Sequence, residues 1–244
     1  MPKGRFDNRT AIVKCTSSGN DRAVANILAS EGASVVINDV RAGLVDSVVE
    51  DIEDAGGSAM RCVADVSVQD KVRAMVSAAV DHFGAVDMLV NNAGILRKSD
   101  GLESISLEKW QAVLDVNLTG VSLCTKAVLP IMKERGSGRI VNVSSPAGRS
   151  SSVFGGAQYT SSRSRRAWAN ATHGRGGCRG EHQCRRAHLR PYEYRLGAGA
   201  GSVRRTRGHL QADSYGTPGI RRGDGWRHLI PMLRGVLLRH RGHT

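Results

Sequence analysis

The residues with the clearest chemical potential lie between 140 and 163. Ile140-Val141-Asn142-Val143 is a β-branched run that ends in Ser144-Ser145, and after a Ser/Gly-rich loop Tyr159 and Arg163 follow at i,i+4 spacing. An apolar run of this kind reads as a buried parallel strand, and its carboxyl end is where ligands sit in open α/β sheets. The spacing of Tyr159 and Arg163 puts a phenol and a cation on one face of a helix. A cation fixed beside a phenol favours the phenolate, so Tyr159 can exchange a proton with a substrate oxygen to which Ser145 donates. That is acid/base chemistry suited to a reaction in which hydride moves elsewhere. Tyr-x-x-x-Arg taken alone also describes an ordinary helix face, so the elements that position the pair must carry the case.

Those elements alternate. Thr10-Ala11-Ile12-Val13 predicts a strand, and Ala23, Val24, Ile27 and Leu28 give a helix stripe that stops at Gly32. Residues 34–39 predict a second strand, followed by a helix with Val45, Val48, Val49 and Ile52 inward and Gly56-Gly57 at its end. Residues 60–66 predict a third strand. Ser67 and Asp70 have the spacing of a capping box for a helix that carries Val72, Met75, Val76, Ala79, Val80 and Phe83 and ends at Gly84. Residues 86–90 predict a fourth strand that runs into Asn91-Asn92-Ala93-Gly94, and residues 107–129 read as one long helix with Trp110, Val113, Leu114, Leu118, Val121 and Leu129 as core candidates. Regular βαβ alternation predicts a single α/β domain with a Rossmann-like, doubly wound parallel sheet.

Polar residues at the strand ends are the candidate ligand contacts. Asp39 closes the second strand about 20 residues beyond the first loop, where a carboxylate can bond a ribose 2′-hydroxyl and repel a 2′-phosphate. It reads equally as a helix-capping Asp, and Asp65 reads equally as a turn residue. The first loop, Lys14-Cys15-Thr16-Ser17-Ser18-Gly19-Asn20-Asp21, stands where glycines let a backbone approach pyrophosphate, and here Ser17, Ser18 and Gly19 are the available donors.

Taken together, residues 8 to about 163 resemble the short-chain dehydrogenase/reductase family. The matching motifs are Asn-Asn-Ala-Gly at 91–94, Asp-Val at 65–66, Asp-Val-Asn at 115–117, the strand-end Ser145 and the Tyr-x-x-x-Lys helix, with Arg163 replacing lysine. The resemblance implies a nicotinamide-dependent enzyme that interconverts a secondary alcohol and a ketone, with a 3-oxoacyl-thioester reductase among the options. It implies catalytic roles for Asn117 (proton relay through a held water), Ser145, Tyr159 and Arg163. It implies cofactor contacts from Ser17, Ser18, Gly19, Asp39, Asp65, Val66, Asn92, Ala93, Gly94, Tyr159 and Arg163. NAD is expected over NADP, and a homodimer or homotetramer is implied. The first loop departs from the family's Thr-Gly-x-x-x-Gly-x-Gly, keeping only Gly19 and adding Asp21, so a folded but inactive member is one alternative reading.

Charge divides the chain in two. Of 35 Lys+Arg and 22 Asp+Glu, with a net +13, the whole excess lies from Arg163 onward, where there is no lysine and where seven of the eight histidines also fall. Residues 1–163 read as the catalytic and dinucleotide-binding part, and residues 164–244 as its continuation with an anomalous Arg/Gly/His-rich composition. Out-of-frame GC-rich codons give such a composition. Glu181-His182-Gln183-Cys184 rereads in the neighbouring frame as Asn-Ile-Asn-Val, similar to the family's sixth strand. Alternatively the basic tail, with Trp168, Tyr192, Tyr194 and Trp226, would bind nucleic acid by charge and stacking. Five cysteines without regular spacing argue against a disulfide framework. No metal site is expected. Residues 1–10 lack an apolar signal core and no window of about 18 apolar residues is evident, so a soluble cytoplasmic protein is expected.

Overall fold

In a computed structural model the chain is described at residues 4–14, 20–92, 94–97, 101–143 and 156–173, with backbone alone at 20, 21 and 165–173. Five strands are placed: β1 (Thr10–Lys14), β2 (Ser34–Asp39), β3 (Ser58–Val63), β4 (Met88–Asn91) and β5 (Arg139–Asn142). Between and after them run α1 (Asn20–Ser30), α2 (Ala42–Asp54), α3 (Gln69–Phe83), α4 (Leu107–Leu114), α5 (Gly120–Glu134) and α6 (Gly156–His173). Every strand pair is parallel and the order is β3-β2-β1-β4-β5. The chain begins at the centre, winds outward to β3, then crosses to β4 on the other side of β1. Connections from β1 and β4 therefore leave in opposite directions, which opens a crevice at their carboxyl ends.

The period of two along β1 builds both halves of the core. Ala11 and Val13 face the layer of α1 and α2, with Val24, Leu28, Val45, Val48 and Ile52. Ile12, between them, faces the layer of α3 and α5, with Val72, Val76, Val128 and Met132. Because both faces are covered, the central strands are apolar throughout rather than alternating. Gly32 and Gly84 end α1 and α3 as their sequence positions predict, at φ 93° and 78°. Left-handed backbone at Gly32 lets its N–H reach the Ala29 carbonyl (2.9 Å) and that of Ala33 reach Leu28 (3.0 Å).

Three expectations change. Ser67 does not cap α3: its N–H and hydroxyl both bond Asp65 Oδ1 (2.9 and 2.7 Å), and Val68 takes the cap position without a side-chain bond. Asp65 precedes Ser67 by two residues, so the local Asx turn forms first and removes the Ser hydroxyl from the helix. The long helix predicted over 107–129 is two helices joined by a π-turn at Asp115–Thr119, and the second continues to Glu134. Of its core candidates only Val113 and Val121 are buried, the rest being half-buried. Finally, the run Leu107–Glu134 is long and apolar enough by composition to cross a membrane, contrary to the sequence expectation. Within it Val121, Cys124, Val128 and Met132 are buried against α3 and the sheet, as in a core helix.

Candidate active site

The carboxyl edge of the sheet collects the polar residues. Lys14 and Asp39 end β1 and β2, Asp65 and Val66 follow β3, Asn92 and Gly94 follow β4, and Val143 follows β5. Over this edge lie the π-turn with Asn117 and the first turns of α6 with Tyr159 and Arg163. Ser17, Ser18, Gly19, Ala93 and Ser145 lie outside the described residues.

Asp39 is 3% exposed. Its Oδ1 accepts from the Arg41 backbone N–H (3.0 Å) and from Arg41 Nε (3.2 Å), while Oδ2 is buried and has no partner among the described residues. It does not cap α2, whose N-cap residue is Arg41. A buried carboxylate oxygen without a donor is costly unless a ligand hydroxyl supplies one. Asp65 serves the turn just described. Val66 is a core residue whose carbonyl and Cγ2 press on Gly120, so that a Cβ at Gly120 would come within 3.0 and 2.9 Å of them.

Asn117 is fully buried within the π-turn. Its Oδ1 accepts from the Ile95 N–H (2.8 Å), and its Nδ2 donates to the Ile95 carbonyl (3.1 Å) and to Ser162 Oγ (3.0 Å). The side chain thus clamps the segment after β4 to α6. Inserted π-turns recur at functional sites because they re-aim a side chain without breaking the helix.

Tyr159 and Arg163 do come together. Arg163 Cζ lies 5.0 Å from the Tyr159 ring centroid, and Nη1 donates to the Val143 carbonyl at 3.0 Å. Its guanidinium also lies over Gly94, where any Cβ would overlap it. A side chain at position 94 would have to displace the guanidinium. Gln158 ties the same helix to the segment after β4, donating from Nε2 to the Arg97 carbonyl at 2.7 Å.

Sequence reasoning treated Lys14 only as a departure from a loop motif, whereas the structure buries it completely. Its ammonium donates to the Gly120 carbonyl at 3.2 Å, at the exit of the π-turn. Lys14, Asn38 and Cys62 stand in register across β1, β2 and β3, and the Cys124 thiol of α5 feels the charge of the same ammonium. Burial pushes the Cys124 thiol above its ordinary 9.0, with Lys14 pulling the other way. Cys62 is likewise raised by burial, offset in part by a hydrogen bond with Asn38. No local pattern announces this cluster, since its members meet only through strand register and the packing of α5 on the sheet. Among the described residues no group of three or more His, Cys, Asp or Glu could hold a metal ion.

A family model described as short chain dehydrogenase matches residues 9–166. The chain is 44% identical over 141 residues to a 3-oxoacyl-[acyl-carrier-protein] reductase of Synechocystis, the match covering 57% of each. It is 43% identical over 140 residues to a cis-4-hydroxycyclohexanecarboxylate dehydrogenase of Sinomonas cyclohexanicum, covering 57% of this chain and 56% of that one. The chain therefore spans little more than half the length of these relatives. Among solved structures, a short-chain type dehydrogenase/reductase from Mycobacterium marinum superposes with a TM-score of 0.66 at 26% identity, covering 69% of this chain and 68% of the other.

Proposed function

Because the chain belongs to the short chain dehydrogenase family, we propose that it is an NAD-dependent oxidoreductase that interconverts a secondary alcohol and a ketone. The observation that carries this reading is the Tyr159–Arg163 pair, a phenol held against a guanidinium at 5.0 Å over the carboxyl edge of the sheet. In the oxidative direction the substrate's C–H bond breaks to give hydride, and its O–H proton passes to Tyr159 Oη. Ser145 donates to the substrate oxygen. Arg163, tied to Val143 and lying over the ring, holds the phenol in place for that transfer.

The site residues fit a nicotinamide dinucleotide at its adenosine end. Asp39 Oδ2, buried and without a donor among the described residues, is the acceptor for a ribose hydroxyl. The neighbouring Oδ1 is already held by Arg41, which leaves Oδ2 free for that bond. A 2′-phosphate would meet the same carboxylate, so NAD is favoured over NADP. Ser17, Ser18 and Gly19 would hold the pyrophosphate, and Asp65, Val66, Asn92, Ala93 and Gly94 would border the adenine and the second ribose. When bound, the nicotinamide supplies or accepts the hydride. Similarity to the Synechocystis reductase favours 3-oxoacyl thioesters as the first substrates to try. Family resemblance supports a homo-oligomer, dimer or tetramer, acting in the cytoplasm.

The test is the absorbance of reduced nicotinamide, followed with secondary alcohols and with 3-oxoacyl thioesters in wild type and Tyr159→Phe. Turnover in wild type that is lost in the variant supports the assignment. Wild-type turnover that survives in Tyr159→Phe refutes it.

A further inference from the structure

Ser162 is a buried hydroxyl that the scheme above leaves without a role. It follows Tyr159 by one turn of α6 and, like Asn117, is fully shielded from solvent. Its hydroxyl donates to the Tyr159 carbonyl at 2.7 Å and accepts from Asn117 Nδ2 at 3.0 Å. A serine hydroxyl has a single proton, and bonding the carbonyl three residues back consumes it. Only its lone pairs remain for Asn117, so the direction of the Asn117–Ser162 bond is fixed. Asn117 in turn grips both the N–H and the carbonyl of Ile95. The bonds form a continuous line from the helix that carries Tyr159, through the π-turn, to the segment that carries Gly94 beneath Arg163.

The geometry points to Ser162 as a positioning residue of this site, setting the Tyr159 turn of α6 against the Asn117 side chain and so fixing Ile95 and Gly94 under the Arg163 guanidinium. Asn117 has three polar bonds and each holds it in one orientation. Without the Ser162 hydroxyl, one Nδ2 proton loses its acceptor in a place water does not reach. An unpaired buried amide relaxes by moving toward a new partner, which loosens its hold on Ile95. The clamp stands on the hydrogen bonds alone; its effect on turnover rests on the dehydrogenase reading.

The experiment uses the full chain and compares wild type with Ser162→Ala. Amide hydrogen exchange at Ile95, read without cofactor or substrate, is expected to quicken about tenfold or more in the variant, while Ile12 and Val36 in the central strands keep their wild-type rates. In turnover, kcat is expected to fall by up to about 10²-fold with the KM for the alcohol unchanged, because the loss is one of alignment. Should Ser162→Ala not fold, Ser162→Cys, whose thiol is a weak acceptor, carries the same expectation at Ile95. Unchanged Ile95 exchange overturns the proposal. So does acceleration at Ile95 together with Ile12 and Val36, which reports a general loss of stability. A responsive Ile95 in a chain that turns over no alcohol keeps the clamp and removes the dehydrogenase reading, whereas normal turnover with an unresponsive Ile95 does the reverse.

Discussion

Arg163 stacks on Tyr159 one helical turn away, its Cζ 5.0 Å from the ring centroid, while Nη1 reaches across to the Val143 carbonyl at 3.0 Å. At 7% exposure the cation is pinned between the end of β5 and the phenol. A planar guanidinium can do both at once, placing its plane over a ring and an edge nitrogen on a carbonyl. It also fills the space above Gly94, where the family resemblance puts the nicotinamide ribose.

Replacing Arg163 by lysine is therefore expected to raise turnover. The compact ammonium keeps the charge and vacates the space over Gly94, although it gives up the stacked fork. Tyr159→Phe removes the transferable proton and is expected to cost about 10²–10⁴-fold or more in kcat. Steady-state kinetics of the two variants decide the matter; an Arg163→Lys protein that is unchanged or slower shows that the lysine role does not transfer to this position.

Asp39 is expected to set cofactor choice. Direct titration should show tighter binding of NAD than of NADP, and Asp39→Ala should weaken NAD while narrowing the gap, because the buried acceptor and the like charge are removed together. Equal or tighter binding of NADP by the wild type would falsify the assignment.

Cys124 gives a pH dependence. Burial raises its thiol above 9.0 in the folded chain, so above that value the unfolded chain releases a proton that the folded chain retains. Its contribution is thus fully present below about pH 9 and is lost as pH rises through the folded value. Urea unfolding across pH 7 to 10 should show a decline at the alkaline end that is shallower in Cys124→Ala. Parallel curves for the two proteins would contradict this.

The residues from about Arg163 onward are expected to reflect a shift of reading frame in the gene. The family match stops at residue 166, close to where arginine begins to accumulate. Peptide mapping of the purified protein should then return peptides of the neighbouring frame, with Asn-Ile-Asn-Val in place of residues 181–184. Tryptic peptides spanning Ala187 to Arg207 as written would show that the basic tail is real.

Much of the scaffold was legible in the sequence because it is written locally. The period of two at Ala11, Ile12 and Val13, the stripe at Val45, Val48 and Ile52, and the left-handed stops at Gly32 and Gly84 depend on neighbours within a turn or two. The pairing of Tyr159 with Arg163 was legible for the same reason, since helical spacing alone brings them together. The π-turn at Asn117 was not, because Asp115–Thr119 contains no helix breaker and apolar residues continue on both sides of it. Ser67 misled as a cap because Asp65 competes for it through a shorter turn. The bonds that finish the site join residues far apart in the chain: Lys14 to Gly120, Asn117 to Ile95, and Ser162 to Asn117. Sequence fixes which donors and acceptors exist, but only the stacking of strands in register and the packing of α6 on the π-turn excludes water from them and decides which donor meets which acceptor.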